Sequence, residues 1–244
     1  MKKLLWLSIA LNLILAAAFA VMVIRLGGVR YLFFKMANTG VETTYISRRD
    51  NFENLPKDST DVVMLGNSLT EQGEWRELLP GVDLKNRGIG GDMTALLHER
   101  LPTVLDLKPK KLFLSIGVND LLYHDIDYIL TNYEKILDDI SRLSPSTTVF
   151  VQSLLPVNND IRVTGIKNAD ILTVNQKLKE LTQAKGLMYI DLHQKFVNEN
   201  GNLPEEFTFD GVHLKGEAYK LWRDQIKEYT TPVNRQPTTD NYTK

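Results

Sequence analysis

Five short apolar runs alternate with longer amphipathic stretches along most of the chain. The runs are aliphatic and β-branched, four to seven residues long, and lie at positions 61–65, 82–86, 111–116, 147–153 and 187–190. A helical stretch through Trp75 and Leu79 follows the first run, and apolar side chains recur at helical spacing over positions 129–143, 171–181 and 218–229. Strands that alternate with helices across short connections form parallel sheets with helices on both faces. The pattern therefore predicts an α/β domain with a five-stranded parallel sheet.

The N-terminal segment has a different pattern. An apolar run extends from Leu4 to Ile24, which is 21 residues, and only Ser8 and Asn12 interrupt it. A helix needs about 20 apolar residues to cross a bilayer, so the run is long enough for a transmembrane anchor. A cleavable signal peptide is the alternative, because Ala18-Phe19-Ala20 resembles a cleavage site, although the apolar run continues beyond it. The length favours the uncleaved anchor. Both alternatives predict an extracytoplasmic protein, either membrane-anchored or exported to the periplasm or cell envelope.

The chain is expected to have four parts. Residues 1–25 form the signal anchor or signal peptide, and residues 26–58 form a juxtamembrane lead-in. The end of this lead-in, from Asn51 to Ser59, is polar and is predicted to be a loop. Residues 59–230 form one domain, which is large enough to bury a hydrophobic core. Residues 231–244 are polar and lack apolar periodicity, so this tail is predicted to be disordered.

Composition and charge narrow the classes of function. The chain has 29 Lys and Arg against 30 Asp and Glu, so its net charge is −1 and no basic field is present to bind nucleic acid. It contains no cysteine, which excludes thiol nucleophiles, thiolate metal sites and disulfides. No metal-ligand cluster or dinucleotide motif is visible, so we expect neither a metal nor a cofactor.

Two motifs carry the residue types of a serine hydrolase. Ser68 follows the first strand in Gly66-Asn67-Ser68-Leu69-Thr70, at a helix start where its N–H has no intrahelical acceptor. His213 follows Asp210 at the spacing of a tight turn, and an acidic residue there can orient the imidazole as a general base. Taken alone, Ser68 is also typical of a helix cap. The other candidate bases are His98, His124 and His193.

Two further motifs follow the second and third strands. In Asn86-Arg87-Gly88-Ile89-Gly90-Gly91-Asp92, three glycines allow backbone N–H groups to approach a ligand closely. In Gly117-Val118-Asn119-Asp120, the asparagine amide is a neutral donor suited to an oxyanion. Each motif alone is typical of a turn. Both, like Ser68, come after the carboxyl end of a strand, which is where parallel sheets bind ligands.

Together, the four motifs resemble the signature blocks of the SGNH (GDSL-like) hydrolase superfamily, in order and in spacing, across residues 61–230. Asn67 stands where the GDSL motif has aspartate. The resemblance implies a flavodoxin-like three-layer α/β/α fold, and a triad and oxyanion hole. The implied triad is Ser68, Asp210 and His213, and the implied oxyanion donors are the N–H groups of Ser68 and Gly91 and the side chain of Asn119. The sequence is most similar to the platelet-activating-factor-acetylhydrolase-like and sialate-O-acetylesterase-like bacterial members, which favour short acyl groups.

This resemblance implies a serine ester hydrolase that acts on a small ester, such as an O-acetylated carbohydrate. Two alternatives stay open. A lysophospholipase or thioesterase on the same scaffold would act on lipid esters, which a membrane tether would bring within reach. A catalytically silent binding domain, held at the membrane by the N-terminal helix, would keep the fold without hydrolysis, because fold alone does not define function.

Overall fold

The computed structural model describes residues 2–25 and 39–230, so the predicted disordered tail lies outside the described residues. The chain divides into two compact units, with the boundary between Ile46 and Ser47. The first unit contains helix α1 (Lys2–Arg25). Among the helices of the described residues, none is both long and apolar enough to cross a membrane. The transmembrane anchor predicted from the sequence is therefore unsupported.

The second unit is built on a five-stranded parallel sheet. Its strands are β1 (Val62–Gly66), β2 (Leu84–Gly88), β3 (Lys111–Ser115), β4 (Thr148–Gln152) and β5 (Met188–Ile190). They are arranged in the order β2-β1-β3-β4-β5, and every neighbouring pair is parallel. This is the strand order of flavodoxin-like folds, in which the direction of winding reverses between β1 and β3. The predicted α/β fold with a parallel sheet is confirmed.

Helices and short turns make up much of the rest of residues 39–230. The helices are α2 (Thr39–Asn54), α3 (Ser68–Glu71), α4 (Trp75–Leu78), α5 (Thr94–Leu105), α6 (Ile126–Leu143), α7 (Asn168–Ala184), α8 (His193–Phe196) and α9 (Gly216–Thr230). Single 3-10 turns occur at Asp120–Leu122 and Glu205–Phe207. Helix α2 continues to Asn54, so the loop that we predicted from Asn51 onward begins later.

Two hydrophobic cores lie on opposite faces of the sheet. Successive side chains of a strand point to opposite faces. Strand β1 therefore buries Val63 and Leu65 in one core, and Val62 and Met64 in the other. Helices α5, α6 and α7 supply the first core, whereas α4 and α9 supply much of the second. This arrangement makes three layers and leaves the carboxyl ends of the strands at one edge of the sheet.

The helical stretch predicted between β1 and β2 is divided into α3 and α4. Asn86 Nδ2 donates to the carbonyl oxygens of Thr70, Glu71 and Gly73 at 3.0, 3.0 and 3.2 Å. Trp75 Nε1 donates to the carbonyl oxygen of Thr70 at 2.8 Å. These side-chain donors use carbonyl groups to which a continuous helix would direct its own N–H groups. Helix α3 therefore ends at Glu71, as a short segment directly after β1.

Candidate active site

The loops that follow the neighbouring strands β2, β1 and β3 lie at the same edge of the sheet. Gly66 at the end of β1 pairs in register with Gly88 of β2 and Ser115 of β3. Each of the three loops carries one predicted site residue, namely Ser68, Gly91 and Asn119. The parallel pairing therefore brings together residues that are up to 51 positions apart in the sequence.

A chain of hydrogen bonds connects Ser68 to Asp210 through His213. Ser68 Oγ and His213 Nε2 are 3.1 Å apart, and His213 Nδ1 and Asp210 Oδ2 are 2.8 Å apart. The His213 and Asp210 side chains are 36% and 33% exposed, so the pair is accessible to small molecules. An imidazole between a hydroxyl group and a carboxylate can take the hydroxyl proton while the carboxylate holds its orientation.

A tight turn sets the positions of Asp210 and His213. Asp210 Oδ1 accepts hydrogen bonds from the N–H groups of Val212 and His213 at 3.0 and 2.8 Å. Thr208 and Leu214 close the loop with an antiparallel bridge. Aspartate commonly accepts backbone N–H groups two and three residues ahead in turns of this kind. The three-residue spacing therefore brings the Asp210 carboxylate against the imidazole of His213.

The same hydrogen bonds determine the charge of Asp210. Burial alone would raise the pKa of its carboxyl group. The side chain of His213 and the N–H groups of His213 and Val212 outweigh burial, and they hold the pKa of Asp210 below the ordinary value of 3.8. Asp210 is therefore ionised at neutral pH and can stabilise an imidazolium ion at His213.

Helix α3 presents Ser68 from its first position. Asn67 caps the helix, because its Oδ1 accepts the N–H of Leu69 at 3.0 Å. The Tyr219 hydroxyl of α9 also contacts helix α3, because it donates to the carbonyl oxygen of Leu69 at 2.8 Å. The asparagine at the position where the GDSL motif has aspartate therefore supplies the usual helix cap. The N–H of Ser68 lies at the helix start, where no intrahelical acceptor is present.

The second and third loops are connected close to Ser68. Gly91 has a φ of +77°, a left-handed conformation that favours glycine. A Cβ atom placed on Gly90 would lie 3.9 Å from Ser68 Cβ, so the loop passes directly beside the serine. Asn119 Nδ2 donates to the carbonyl oxygen of Asp92 at 2.8 Å. The structure thus gathers all five predicted site residues at one edge of the sheet.

A buried ion pair that our sequence analysis did not identify lies beneath this site. Arg100 Nη2 and Asp92 Oδ2 are 2.7 Å apart, and their side chains are 3% and 0% exposed. Arg100 Nη2 also donates to the carbonyl oxygens of Gly66 and Arg87, at 3.2 and 2.9 Å. Burial raises the pKa of Asp92 to about 6, although the charge of Arg100 acts in the opposite direction. One side chain of α5 therefore joins the ends of β1 and β2 to the glycine loop.

The sequence does contain a signal for Arg100. It lies three residues after Leu97 and four before Val104, both of which are buried on the core side of α5. A charged residue at a core position of a helix requires a buried partner. That spacing indicates a buried ion pair, but it does not identify Asp92 as the partner.

A second buried carboxylate supports the third loop. Asp120 follows Asn119, and its carboxylate accepts hydrogen bonds from Thr94 Oγ1 at 2.5 Å and Thr94 N at 3.1 Å. Asn132 Nδ2 of α6 donates to the same threonine hydroxyl at 3.3 Å. Burial raises the pKa of Asp120. Helix α5 therefore holds the third loop from its first residue, just as it holds the second loop through Arg100.

The other three histidines have different surroundings. His98 Nε2 is 2.7 Å from Asp139 Oδ2, and the His124 ring stacks on Tyr128 with centroids 3.9 Å apart. His193 is buried, and its backbone N–H donates to Ser153 Oγ at 2.8 Å. Within residues 2–25 and 39–230, no group of three or more His, Asp or Glu side chains is arranged to hold a metal ion.

Comparison with known proteins identifies the family. The model of the GDSL-like lipase/acylhydrolase family matches residues 64–221, which is more than half of the chain. Platelet-activating factor acetylhydrolase IB subunit alpha2 of Rattus norvegicus is 32% identical over 168 residues, covering 65% of this chain and 71% of that protein. The N-acylneuraminate cytidylyltransferase of Streptococcus agalactiae serotype V is 30% identical over 151 residues. That match covers 61% of this chain, which spans only about a third (35%) of the length of that relative.

Solved structures agree with this assignment. A protein from Streptococcus pneumonia, provisionally described as a platelet activating factor, superposes with a TM-score of 0.75 at 25% identity. That match covers 82% of this chain and 99% of the other. A GDSL-like lipase from Bacteroides thetaiotaomicron, at 24% identity, shares the fold with a TM-score of 0.67 over 76% of this chain and 96% of its own. The chain belongs to the GDSL-like lipase/acylhydrolase family.

Proposed function

We propose that this protein is a serine ester hydrolase. The observation that carries the proposal is the hydrogen-bonded series from Ser68 Oγ through His213 to Asp210, with distances of 3.1 and 2.8 Å. It lies at the carboxyl edge of a parallel sheet, where α/β proteins bind ligands. Membership in the GDSL-like lipase/acylhydrolase family supports this chemistry.

In the proposed mechanism, His213 is the general base. Its Nε2 takes the proton of Ser68 Oγ as the oxygen attacks the ester carbonyl carbon, and Asp210 stabilises the resulting imidazolium. The imidazolium then gives its proton to the alcohol oxygen as the bond between this oxygen and the carbonyl carbon breaks. The alcohol departs, and the acyl group remains bound to Ser68 Oγ. A water molecule, activated by the same base, releases the carboxylic acid and restores the serine.

Three donors are proposed to stabilise the oxyanion that forms during each attack. They are the N–H groups of Ser68 and Gly91 and the side-chain amide of Asn119. A side-chain amide has two N–H groups, and Asn119 uses one of them to bind the carbonyl oxygen of Asp92. The second N–H is the proposed donor. The bond to Asp92 orients the amide before the substrate arrives, which is what oxyanion stabilisation requires.

The proposed substrates are small esters with short acyl groups, such as O-acetylated carbohydrates. The similarity to proteins named as acetylhydrolases, at 31–32% identity, supports a short acyl group. The full-length protein should be tested against p-nitrophenyl esters from acetyl to long acyl chains, together with acetylated sugars and lysophospholipids. We expect kcat/KM to be highest for acetyl esters. A kcat/KM that rises steadily with chain length would instead favour the lysophospholipase or thioesterase alternative.

The nucleophile can be tested by covalent labelling. A fluorophosphonate probe should label the wild-type protein at Ser68, and Ser68→Ala should lose both labelling and hydrolysis. Ser144 is a suitable control, because it lies between α6 and the start of β4, at the amino ends of the strands and opposite the triad, and Ser144→Ala should be labelled normally. A wild-type protein that is not labelled and hydrolyses no ester would support the silent binding domain.

We also propose an extracytoplasmic location, which rests on the apolar segment from Leu4 to Ile24 alone. Cell fractionation should find the full-length protein outside the cytoplasm. It should be either membrane-bound or a soluble chain that begins near Val21. Recovery of an intact, soluble chain from the cytoplasm would overturn this proposal.

A further inference from the structure

An ion pair connects helix α2 to the segments that carry two of the three proposed oxyanion donors, Ser68 and Gly91. Arg48 Nε lies 2.7 Å from Glu71 Oε1, and Arg48 Nη2 donates to the carbonyl oxygen of Gly88 at 3.2 Å. Glu71 is the last residue of α3, which begins at Ser68, and Gly88 ends β2 just before the loop with Gly91. We propose that Arg48 is a positioning residue that holds the N–H groups of Ser68 and Gly91 in the geometry needed for catalysis. This inference rests on the proposed function.

The carboxylate of Glu71 packs directly against the glycine loop. A Cβ atom placed on Gly90 would lie 2.9 Å from Glu71 Oε2, and one placed on Gly88 would lie 2.2 Å from the backbone nitrogen of Glu71. The same Gly90 position is 3.9 Å from Ser68 Cβ. The position of the glycine loop relative to Ser68 therefore depends on the position of Glu71.

The Arg48 charge has a second role in this geometry. The Glu71 side chain is 19% exposed, so its negative charge is only partly screened by water. An oxyanion that develops beside Ser68 would be repelled by this carboxylate if the carboxylate were unpaired. The Arg48 guanidinium, 35% exposed, neutralises Glu71 and leaves the donors to act on the oxyanion.

Helix α2 holds Arg48 in place from outside the region that matches the family. The Arg48 guanidinium lies 5.0 Å from the centre of the Phe52 ring, and the Arg87 guanidinium lies 4.6 Å from the same centre. The family model begins at residue 64, so Arg48 and Phe52 precede it. The segment proposed to position the oxyanion donors therefore includes residues 47–54. These residues belong to the same compact unit as the sheet.

Steady-state kinetics distinguish a positioning role from a purely structural one. Loss of a residue that only stabilises the fold lowers stability and leaves the kcat of the folded enzyme unchanged. A positioning residue acts on the transition state, so its loss lowers kcat and leaves KM nearly unchanged. The test uses Arg48→Met, Glu71→Gln and the double variant in the full-length protein, with an acetyl ester as substrate and a thermal melt of each preparation. The matched control is Arg49→Met, because Arg49 lies on the same helix and pairs with Glu53 and Glu99.

We expect Arg48→Met to lower kcat by about 10- to 100-fold, with KM within about twofold, since small displacements of catalytic groups have effects of this size. Arg49→Met should keep kcat within about twofold of the wild type. Adding Glu71→Gln to Arg48→Met should cause no further loss and should recover part of kcat, because it removes the carboxylate that Arg48→Met leaves unpaired. If Arg48→Met does not fold, Arg48→Lys replaces it. That variant keeps the charge but loses the two-pronged contact, so its kcat should also fall.

Each negative result points to a different assignment. Equal kcat values for the folded Arg48 variant and Arg49→Met, with Ser68→Ala inactive, would overturn the positioning role and leave the proposed function standing. Independent, multiplying losses from the Arg48 and Glu71 variants would overturn their action as a unit. If Ser68→Ala kept its hydrolytic activity, the proposed function itself would fail.

Discussion

Two carboxylates at the same edge of the sheet are held in opposite ways. Asp210 is 33% exposed, and hydrogen bonds from its own turn lower its pKa. Asp92 is fully buried against Arg100, and burial raises its pKa to about 6. The charge on Asp210 therefore depends on the His213 side chain and the backbone of its own turn, whereas the charge on Asp92 depends on Arg100 of the following helix. The Asp210–His213 pair is suited to proton transfer at the surface, and the Asp92–Arg100 pair is suited to holding loops in place.

The largest expected effect is the loss of kcat when the partly exposed Asp210–His213 pair is changed. Asp210→Asn should lower kcat by about 10³- to 10⁴-fold, because the imidazole of His213 loses the carboxylate that orients and stabilises it. The thermal melt should change little, since an amide oxygen can still accept the N–H of Val212. The measurement is kcat on an acetyl ester beside the melting curve. A variant with near-normal kcat would contradict a catalytic role for Asp210.

A change to the buried Asp92–Arg100 pair should act mainly on stability. Arg100→Met leaves the Asp92 carboxylate buried without its partner, so the free energy of unfolding should fall by about 3–5 kcal/mol. The measurement is urea unfolding followed by circular dichroism. Arg142→Met is the control, because the Arg142 side chain is 66% exposed in its pair with Asp139, so its loss should lower the free energy of unfolding far less. Equal losses in the two variants would remove the contrast between buried and exposed pairs.

Asn119 belongs to both regions, since its side chain binds the backbone of Asp92. Asn119→Ala should lower kcat by about 10²- to 10³-fold with little change in KM, because the proposed donor acts only on the transition state. The loss of stability should be about 1 kcal/mol, the value of one hydrogen bond. Kinetics and a melt of the same preparation test this. A near-normal kcat with a lowered melting temperature would assign Asn119 to structural support alone.

The smallest expected effect concerns a buried imidazole. Burial lowers the pKa of His193 below 6.5, although the charge of Asp191 opposes this, so the folded protein disfavours the protonated form. The stability that neutral His193 contributes is therefore complete above pH 6.5 and is lost as the pH falls through that value. Asp92 has the opposite sign, because its raised pKa favours the fold as the pH falls from about 6 towards 3.8. The two buried groups thus partly offset each other.

His193→Gln separates these contributions. The unfolding free energy of the wild type minus that of the variant should decrease between pH 7.5 and pH 5.5, because only the wild type carries the titrating imidazole. Urea unfolding at both pH values measures the difference. A difference that stays constant across this range would show that His193 does not titrate differently in the folded and unfolded states.

The sequence by itself determined the elements and the chemistry-bearing motifs of this protein. Apolar runs with β-branched residues predict strands because burial requires them, and the structure has each strand within about two residues of its predicted position. The family was also identified correctly, because four short motifs keep their order and, apart from Asn67, their residue types. The site residues that lie together at the sheet edge, including Ser68 and His213, came from the same motifs, and their catalytic roles stay a prediction.

Only the tertiary structure decided which charged groups of different segments are partners. The contacts of Arg100 with Asp92 and of Arg48 with Glu71 join segments that no local pattern relates, since a charged side chain can pair with any opposite charge that the fold brings near. The break between α3 and α4 depends likewise on Asn86 from the next strand. Secondary structure follows from local periodicity, whereas partner choice follows from the packing of the whole chain. The triad motifs could therefore be identified from the sequence, whereas the partners of the arginines that hold the loops around them could not.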